Sequence, residues 1–359
     1  MRIVVAPDKY AGTLTAVEAA EAIATGWRRS APTDELDLLP LSDGGPGFVD
    51  ALHAALGGTL QAVTVSGPFG SPVPATLLLV GETVYLESAQ ACGLHLTDGR
   101  GGEHASTYGV GELIAEAVAA GARRVVVGLG GSGTNDGGAG LLSALGATAD
   151  VPLDQGVAGL AGITALTLPA TGLESVELVA ASDVENPLTG LFGASKVFGE
   201  QKGIADLPRA DALLEEFAAV AGRIEATRPG AGAAGGLGYA LALLGATRRP
   251  GLDVVATAVR LDERIERADL VITGEGSFDA SSRGGKVPVG VAARAGERAR
   301  PCVVLAGRVG MGAREHRALG LDAAYGVVDL VGEDRAMGQP SAALADLAER
   351  VARTWSIPE

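Results

Sequence analysis

The chain is short of cysteine, of positive charge and of long apolar runs, and each shortage excludes a class of protein. Only two cysteines occur, Cys92 and Cys302, far apart in apolar segments. Two distant thiols make no disulfide framework, so buried free thiols in a reducing cytosol are expected. Lys and Arg number 28 against 43 Asp and Glu, which leaves a formal charge of −15. That balance argues against a nucleic-acid or anionic-membrane partner, since either would favour a basic patch. A site for an anionic small molecule must therefore gather its few cations locally. No apolar run approaches the roughly 18–20 residues of a membrane span. The first apolar stretch already stops at Pro7-Asp8, too early for a secretory leader. The cytoplasm is the expected location. The chain also lacks a Gly-x-x-x-x-Gly-Lys-Ser/Thr P-loop and a protein-kinase catalytic loop.

Glycine is what the chain has in excess. There are 54 among 359 residues, about twice the usual share of roughly 7%. They are not periodic, so neither collagen nor a repeat array explains them. They cluster between apolar runs, as loops do where the backbone needs φ > 0 or lets a ligand approach. With 47% apolar and 20% charged residues, the composition is that of a globular protein. The length suggests about two domains.

Arg2 to Ala6 is a continuous β-branched run closed by Pro7-Asp8, the pattern of a buried parallel strand. Thr15 and Glu18 stand at capping-box spacing, and the helix they open puts Ala20, Ile23, Ala24 and Trp27 on one face. Glu35 to Leu41 reads as a second strand, which makes the start of a doubly wound α/β unit. The texture returns near the end, with strands predicted at 269–273, 302–306 and 323–328. Residues 1–68 and 266–359 are therefore expected to form one discontinuous domain. Residues 69–265 form the inserted one, opening with antiparallel strands at 75–80 and 83–88.

Gly128 to Gly133 matches Gly-x-Gly-x-x-Gly after a strand, with Asp150 near the offset of a ribose-binding acid. The residues before Asp150 read as a helix and turn rather than a second strand, which disfavours a nicotinamide site. The loop remains a candidate anion cradle, because clustered backbone N–H groups bind anions. Four acidic turns follow apolar runs: Asp8, Asp43, Asp183, and Glu275 with Asp279. Carboxylates beyond the carboxyl ends of strands suit Mg²⁺ ligation or proton acceptance from a hydroxyl. A helix cap or Asx turn is the competing role for any single one. Lys9, Lys202 and Lys286 each lie in a glycine-bearing loop, where a lysine meets phosphate or carboxylate as a point charge. The run from Gly230 to Gly236 opens a helix, as either an anion nest or a place of close helix packing.

Taken in order, these segments resemble the bacterial glycerate kinase family of the two-domain α/β type. The segments are VVAPDKYAGTLTAVEAAEAI, LSDGGPGFVDAL, STYGVGELI, GLGGSGTNDGGAGLLSALGA, ASDVENPLTGLFGASKVFGEQKG, GAGAAGGLGYAL and LVITGEGSFDASSRGGKVPVGVA. They span nearly the whole chain. The resemblance implies a Rossmann-like, flavodoxin-type parallel sheet built from both chain ends, an inserted α/β domain, and an active site in the cleft between. It implies ATP and Mg²⁺, with D-glycerate as acceptor and 2-phosphoglycerate as product. Motif membership gives catalytic roles to Asp183, Lys202 and Lys286, and metal ligation to Glu275 and Asp279. Substrate and phosphate contacts fall to Asp8, Lys9, Asp43, Gly44, Gly131, Ser132, Asn135, Asp136, Gly235 and Gly236. The chain departs from the family pattern at Lys9-Tyr10-Ala11, Pro46, Glu103-His104, Glu200 and Ser281-Ser282. Lys9 can supply the charge absent at Ala11. A kinase of another small hydroxy acid and a non-catalytic binding protein on the same fold stay open, as does a homodimer.

Overall fold

The structure, a computed structural model, describes residues 1–169, 173, 175–283 and 286–356. It divides into two compact units. The first holds residues 1–43, 50–57 and 252–359, and the second holds 44–49 and 58–251. These divisions differ from the expected boundaries at 68 and 266 for two reasons. Strand Thr59–Ser66 pairs antiparallel with Pro72–Val80, so it joins the second sheet. At the other end, Arg294 in helix Val287–Glu297 bonds Asp253 at 2.6 Å and Asp262 at 2.9 Å. Those ion pairs tie helices Gly251–Ala258 and Leu261–Glu266 to the first unit.

The first unit carries a five-stranded parallel sheet. Its strands lie in the order Ala323–Gly326, Cys302–Ala306, Leu270–Gly274, Arg2–Pro7, Glu35–Leu38. Numbered along the chain this is 2-1-3-4-5, the flavodoxin-like order. Ile3 to Pro7 register with Leu270 to Gly274. The three central strands are buried almost throughout, as helix-covered parallel strands of continuous apolar sequence must be. The predicted strand at 323–328 stops at Gly326, where helix Val327–Val331 begins.

Helix Ala16–Ser30 opens with the expected capping box between Thr15 and Glu18. It buries Ala20, Ile23, Ala24 and Trp27, and the Trp27 indole N–H donates to Asp34 at 2.9 Å. This helix packs on Pro340–Trp355 so closely that a Cβ on Gly26 would lie 1.9 Å from the Ala345 carbonyl oxygen. No larger residue fits there.

The second unit has a six-stranded sheet in the order Thr247–Arg249, Glu177–Ala181, Arg124–Gly128, Thr83–Glu87, Pro72–Val80, Thr59–Ser66. The first four strands are parallel and the last two antiparallel. Its core takes alternate residues such as Val125 and Val127 from the sheet. They pack with Leu113 and Ile114 of helix Tyr108–Ala119 and Leu214 and Phe217 of helix Leu207–Ala221. The fold is thus α/β with parallel sheets. Both cysteines are buried and free, and burial raises both thiols above their ordinary range, Cys92 to about 12. Among the described residues, no helix is long and apolar enough to cross a membrane.

Candidate active site

In the first unit the strand order reverses at Arg2–Pro7, and ligands of open α/β sheets bind beyond strand ends at such a switch. The residues emerging there are Asp8 and Lys9 from one strand and Glu275 from its neighbour. The Asp8 backbone N–H donates to the Gly274 carbonyl at 2.8 Å, which locks the two exits side by side. Asp8 is buried, and its carboxylate accepts the Lys9 backbone N–H at 2.7 Å. The Lys9 ammonium lies 3.4 Å from Asp43 and 3.8 Å from Asp8. Glu275, also buried, accepts the Ser282 hydroxyl at 2.5 Å and sits 3.4 Å from the Lys286 ammonium. Lys286 also donates to the Ser281 hydroxyl at 3.0 Å.

Burial raises the Asp8 carboxyl to about 7; Lys9 pulls it down, and the charges of Asp43 and Glu275 push it up. Burial likewise raises Glu275 against the pull of Ser282 and Lys286. Tyr10 donates to the Leu305 carbonyl at 2.5 Å, and its phenol is raised by burial and by Glu275 and Asp8. Three carboxylates thus stand with two lysines, Asp8 and Glu275 buried and the other three side chains partly exposed.

Asp279 is different. It is partly exposed, and its oxygens accept the Ser281 backbone N–H at 2.8 Å and the Ser277 hydroxyl at 3.0 Å. Those bonds hold its carboxyl below the usual range. It closes its own turn, a local role beside the metal ligation with Glu275 that the resemblance implies. Among the described residues, no three His, Cys, Asp or Glu side chains form a metal-holding group. Mg²⁺ carried by a nucleotide typically takes one or two carboxylates, with phosphate and water completing the set. Asp8, with Asp43 or Glu275 beside it, fits that demand. Gly284 and Gly285, before Lys286, lie outside the described residues.

In the second unit the glycine-rich loop after Arg124–Gly128 has another character. Asp136 is wholly buried and accepts four bonds: Thr107 N–H and hydroxyl, each at 2.8 Å, Gly138 N–H at 3.0 Å and Gly140 N–H at 3.2 Å. Burial raises its carboxyl while those donors lower it. Asn135 donates to the Ser195 hydroxyl at 2.8 Å. The buried Lys202 ammonium donates to the Thr134 carbonyl at 2.7 Å and the Ser132 hydroxyl at 3.2 Å. Burial lowers Lys202 to about 8, opposed by Cys92 and Asp136.

These residues hold the loop from inside, alongside the ligand contacts that the resemblance implies for Ser132, Asn135, Asp136 and Lys202. The glycines follow suit. A Cβ on Gly235, at φ +71°, would lie 1.9 Å from the Thr134 carbonyl oxygen, and one on Gly236 would lie 2.4 Å from Gly137. A Cβ on Gly131 would meet Pro46 at 2.7 Å, and one on Gly44 the Ala181 carbonyl oxygen at 2.7 Å. Close packing against backbone or, for Gly131, the Pro46 ring requires glycine at each of these positions.

Asp183 follows the neighbouring strand Glu177–Ala181 at the same sheet end. It is half-buried, and one carboxylate oxygen accepts the Gly251 backbone N–H at 3.0 Å. Sequence reasoning missed Glu87, which ends strand Thr83–Glu87 buried and accepts the backbone N–H groups of Gly47 at 2.9 Å and Phe48 at 3.0 Å. An acid closing an apolar strand was the available signal, the same one that marks Asp8. Ser282 was seen only as a departure from a family pattern, yet it fixes Glu275.

A parallel α/β frame with an acid–lysine group at its switch point, in a sequence with no P-loop, suits a small-molecule kinase of a separate lineage. The chain belongs to the glycerate kinase family, whose profile matches residues 3–356. Glycerate kinase of Halalkalibacterium halodurans is 39% identical over 368 residues, covering 98% of this chain and 97% of that protein. Glycerate 2-kinase of Escherichia coli is 39% identical over 350 residues, covering 92% of each. A crystal structure assigned as glycerate kinase 2 from Salmonella typhimurium LT2 matches with a TM-score of 0.83 at 38% identity. That match covers 99% of this chain and 98% of the other.

Proposed function

We propose that this kinase transfers the γ-phosphoryl group of ATP to D-glycerate, giving 2-phosphoglycerate and ADP. The observation that carries the reading is the Asp8–Lys9–Asp43–Glu275–Lys286 group at the switch point of a parallel sheet. Phosphoryl transfer asks chiefly for positioning and charge neutralisation. Lys9 and Lys286 neutralise phosphate oxygens. Asp8, with Asp43 or Glu275, would hold Mg²⁺, which when bound supplies further positive charge to the phosphates.

Asp183 accepts the proton of the attacking hydroxyl as its oxygen bonds the γ-phosphorus and the bond to the β–γ bridging oxygen breaks. The Gly251 N–H orients that carboxylate. Lys202 and Asp136 are positioning residues that keep the glycine-rich loop rigid. The same reading places the enzyme in the cytoplasm with its thiols reduced.

The test is Mg²⁺-dependent ADP release over a panel of hydroxy acids, with phosphorus NMR of the product. D-Glycerate is expected to turn over best and NAD(P) not to bind. Failure with every hydroxy acid defeats the reading, and clean 3-phosphoglycerate defeats its regiochemistry. Asp183→Asn should lower kcat by about 10²–10⁴-fold, the usual contribution of a positioned base, with the fold intact. Near-normal turnover would give Asp183 the role of a turn cap.

A further inference from the structure

The first unit has a second feature beside the acid–lysine group, a cavity of about 270 Å³ past the carboxyl ends of its strands. Gly276, Gly307 and Val327 line it, each one to two residues beyond the strands that end at Gly274, Ala306 and Gly326. Tyr10 lines it too, directly after Asp8 and Lys9. The cavity and the charged group therefore share the chain segments 8–10 and 275–277.

Its walls are of two kinds. Val328, Ala336, Met337 and Leu344 supply apolar surface, and Met337 is 59% exposed. Gly276 and Gly307 supply bare backbone, and a Cβ on Gly307 would lie 2.5 Å from the Gly276 carbonyl oxygen. The polar side chains of the wall are already engaged. Arg308 bonds Glu333 at 2.7 Å, Thr13 donates to the Tyr10 carbonyl at 2.9 Å, and Ser277 donates to Asp279 at 3.0 Å. Apolar side chains flanked by bare glycine backbone, with no free polar side chain among the described residues of the wall, suit an aromatic ring. Whole drug-sized ligands usually fill about 300–1,000 Å³, so this cavity suits one ring system whose remainder lies outside.

We propose that this cavity holds the purine base of ATP, with the triphosphate leading along segments 8–10 and 275–277 to Lys9 and Lys286. The proposal rests on the kinase reading above and adds to it where the base binds. A larger cavity of about 480 Å³ is lined by Arg2, Glu35 and Arg267 at the amino ends of the same strands. At about 3.3 Å per residue it lies roughly 15–20 Å from Asp8 along the six-residue strand Arg2–Pro7. It opens at the wrong end of the sheet for this base.

Two variants and two ligands test the placement. Ala336→Phe fills the cavity, and Met337→Ala trims an exposed wall without opening the core. Each is titrated calorimetrically with ATP and with inorganic tripolyphosphate, which has the phosphates and no base. Ala336→Phe should weaken ATP at least tenfold and Met337→Ala about three- to tenfold, while tripolyphosphate stays within twofold of wild type. Unchanged ATP affinity in both variants overturns the placement and leaves the kinase intact. Equal weakening of both ligands also overturns it, because the effect then lies with the phosphates. A wild-type protein that binds neither ligand removes the kinase reading and the placement with it.

Discussion

The two units place the same residue types at the carboxyl ends of parallel strands and use them in opposite ways. In the first, Asp8 accepts one backbone N–H from its neighbour and faces two further carboxylates, so burial leaves it titrating at about 7. In the second, Asp136 is more deeply buried yet surrounded by four donors. A buried carboxylate with its hydrogen bonds complete is part of the frame. One left short of partners among like charges is a place prepared for something positive. The contrast separates the two acids, which residue identity alone does not.

The comparison can be broken by substitution, and the largest effect is expected at Asp136. Asp136→Ala leaves the Thr107, Gly138 and Gly140 donors buried without an acceptor. Each orphaned donor costs about 1–3 kcal/mol, so chemical denaturation should show a loss of at least about 4 kcal/mol. A loss under 1 kcal/mol would show the network to be dispensable.

Lys202→Met comes next and has a pH signature. The native ammonium titrates at about 8 and the unfolded one near 10.5, so between those values the unfolded chain binds more protons and wild-type stability gains with pH. Relative to Lys202→Met, the wild type should gain on the order of 3 kcal/mol from pH 8 to 10.5. A difference that stays flat with pH would mean that Lys202 keeps its normal affinity for the proton.

Asp8→Asn should move stability the other way. The native carboxyl, raised to about 7 from 3.8, holds its proton between those values while the unfolded chain has lost it. Wild-type stability therefore falls as pH rises from about 4 to 7. At pH 8 without Mg²⁺ the variant should be more stable by on the order of 2–4 kcal/mol, at pH 4 the two should match, and turnover should drop. A variant less stable at pH 8 would place Asp8 with Asp136 in the frame. The smallest effect is predicted for Asp279→Asn, a turn residue on the surface. Stability within about 0.5 kcal/mol and kcat within threefold are expected. A hundredfold loss of turnover would return Asp279 to the metal site.

Much of the frame was legible because its signals are local. Arg2 to Ala6 and Cys302 to Ala306 read as buried strands from unbroken apolar runs, and Thr15 with Glu18 announced a helix start. Residues 59–66 do not read as a strand of the second sheet, because their pairing with Pro72–Val80 depends on register and their own face is largely exposed. The strand predicted through Val328 failed because a short apolar run does not distinguish strand from helix. In the candidate site, the acids and lysines were visible as types but their surroundings were not. Lys202 reads as a loop lysine placed to meet a phosphate or carboxylate, since nothing within a few residues reveals that its partners are 68 and 70 positions away. Asp136 hid similarly behind Thr107, 29 residues off.

The sheet of the first unit also sets a timetable for the growing chain. Thr273 donates its hydroxyl to the Ala6 carbonyl across 267 residues of sequence. At roughly 5–20 residues per second of synthesis, strand Arg2–Pro7 waits about 13–50 s for the neighbour beside which it ends. Until then only Glu35–Leu38 can cover one of its edges, and the other is an open apolar template for any passing strand. The intervening 58–251, by contrast, supplies every strand of its own sheet and can close as soon as it leaves the ribosome. Chaperone dependence should therefore concentrate in the first forty residues, and a chain stopped before residue 270 should aggregate through its beginning.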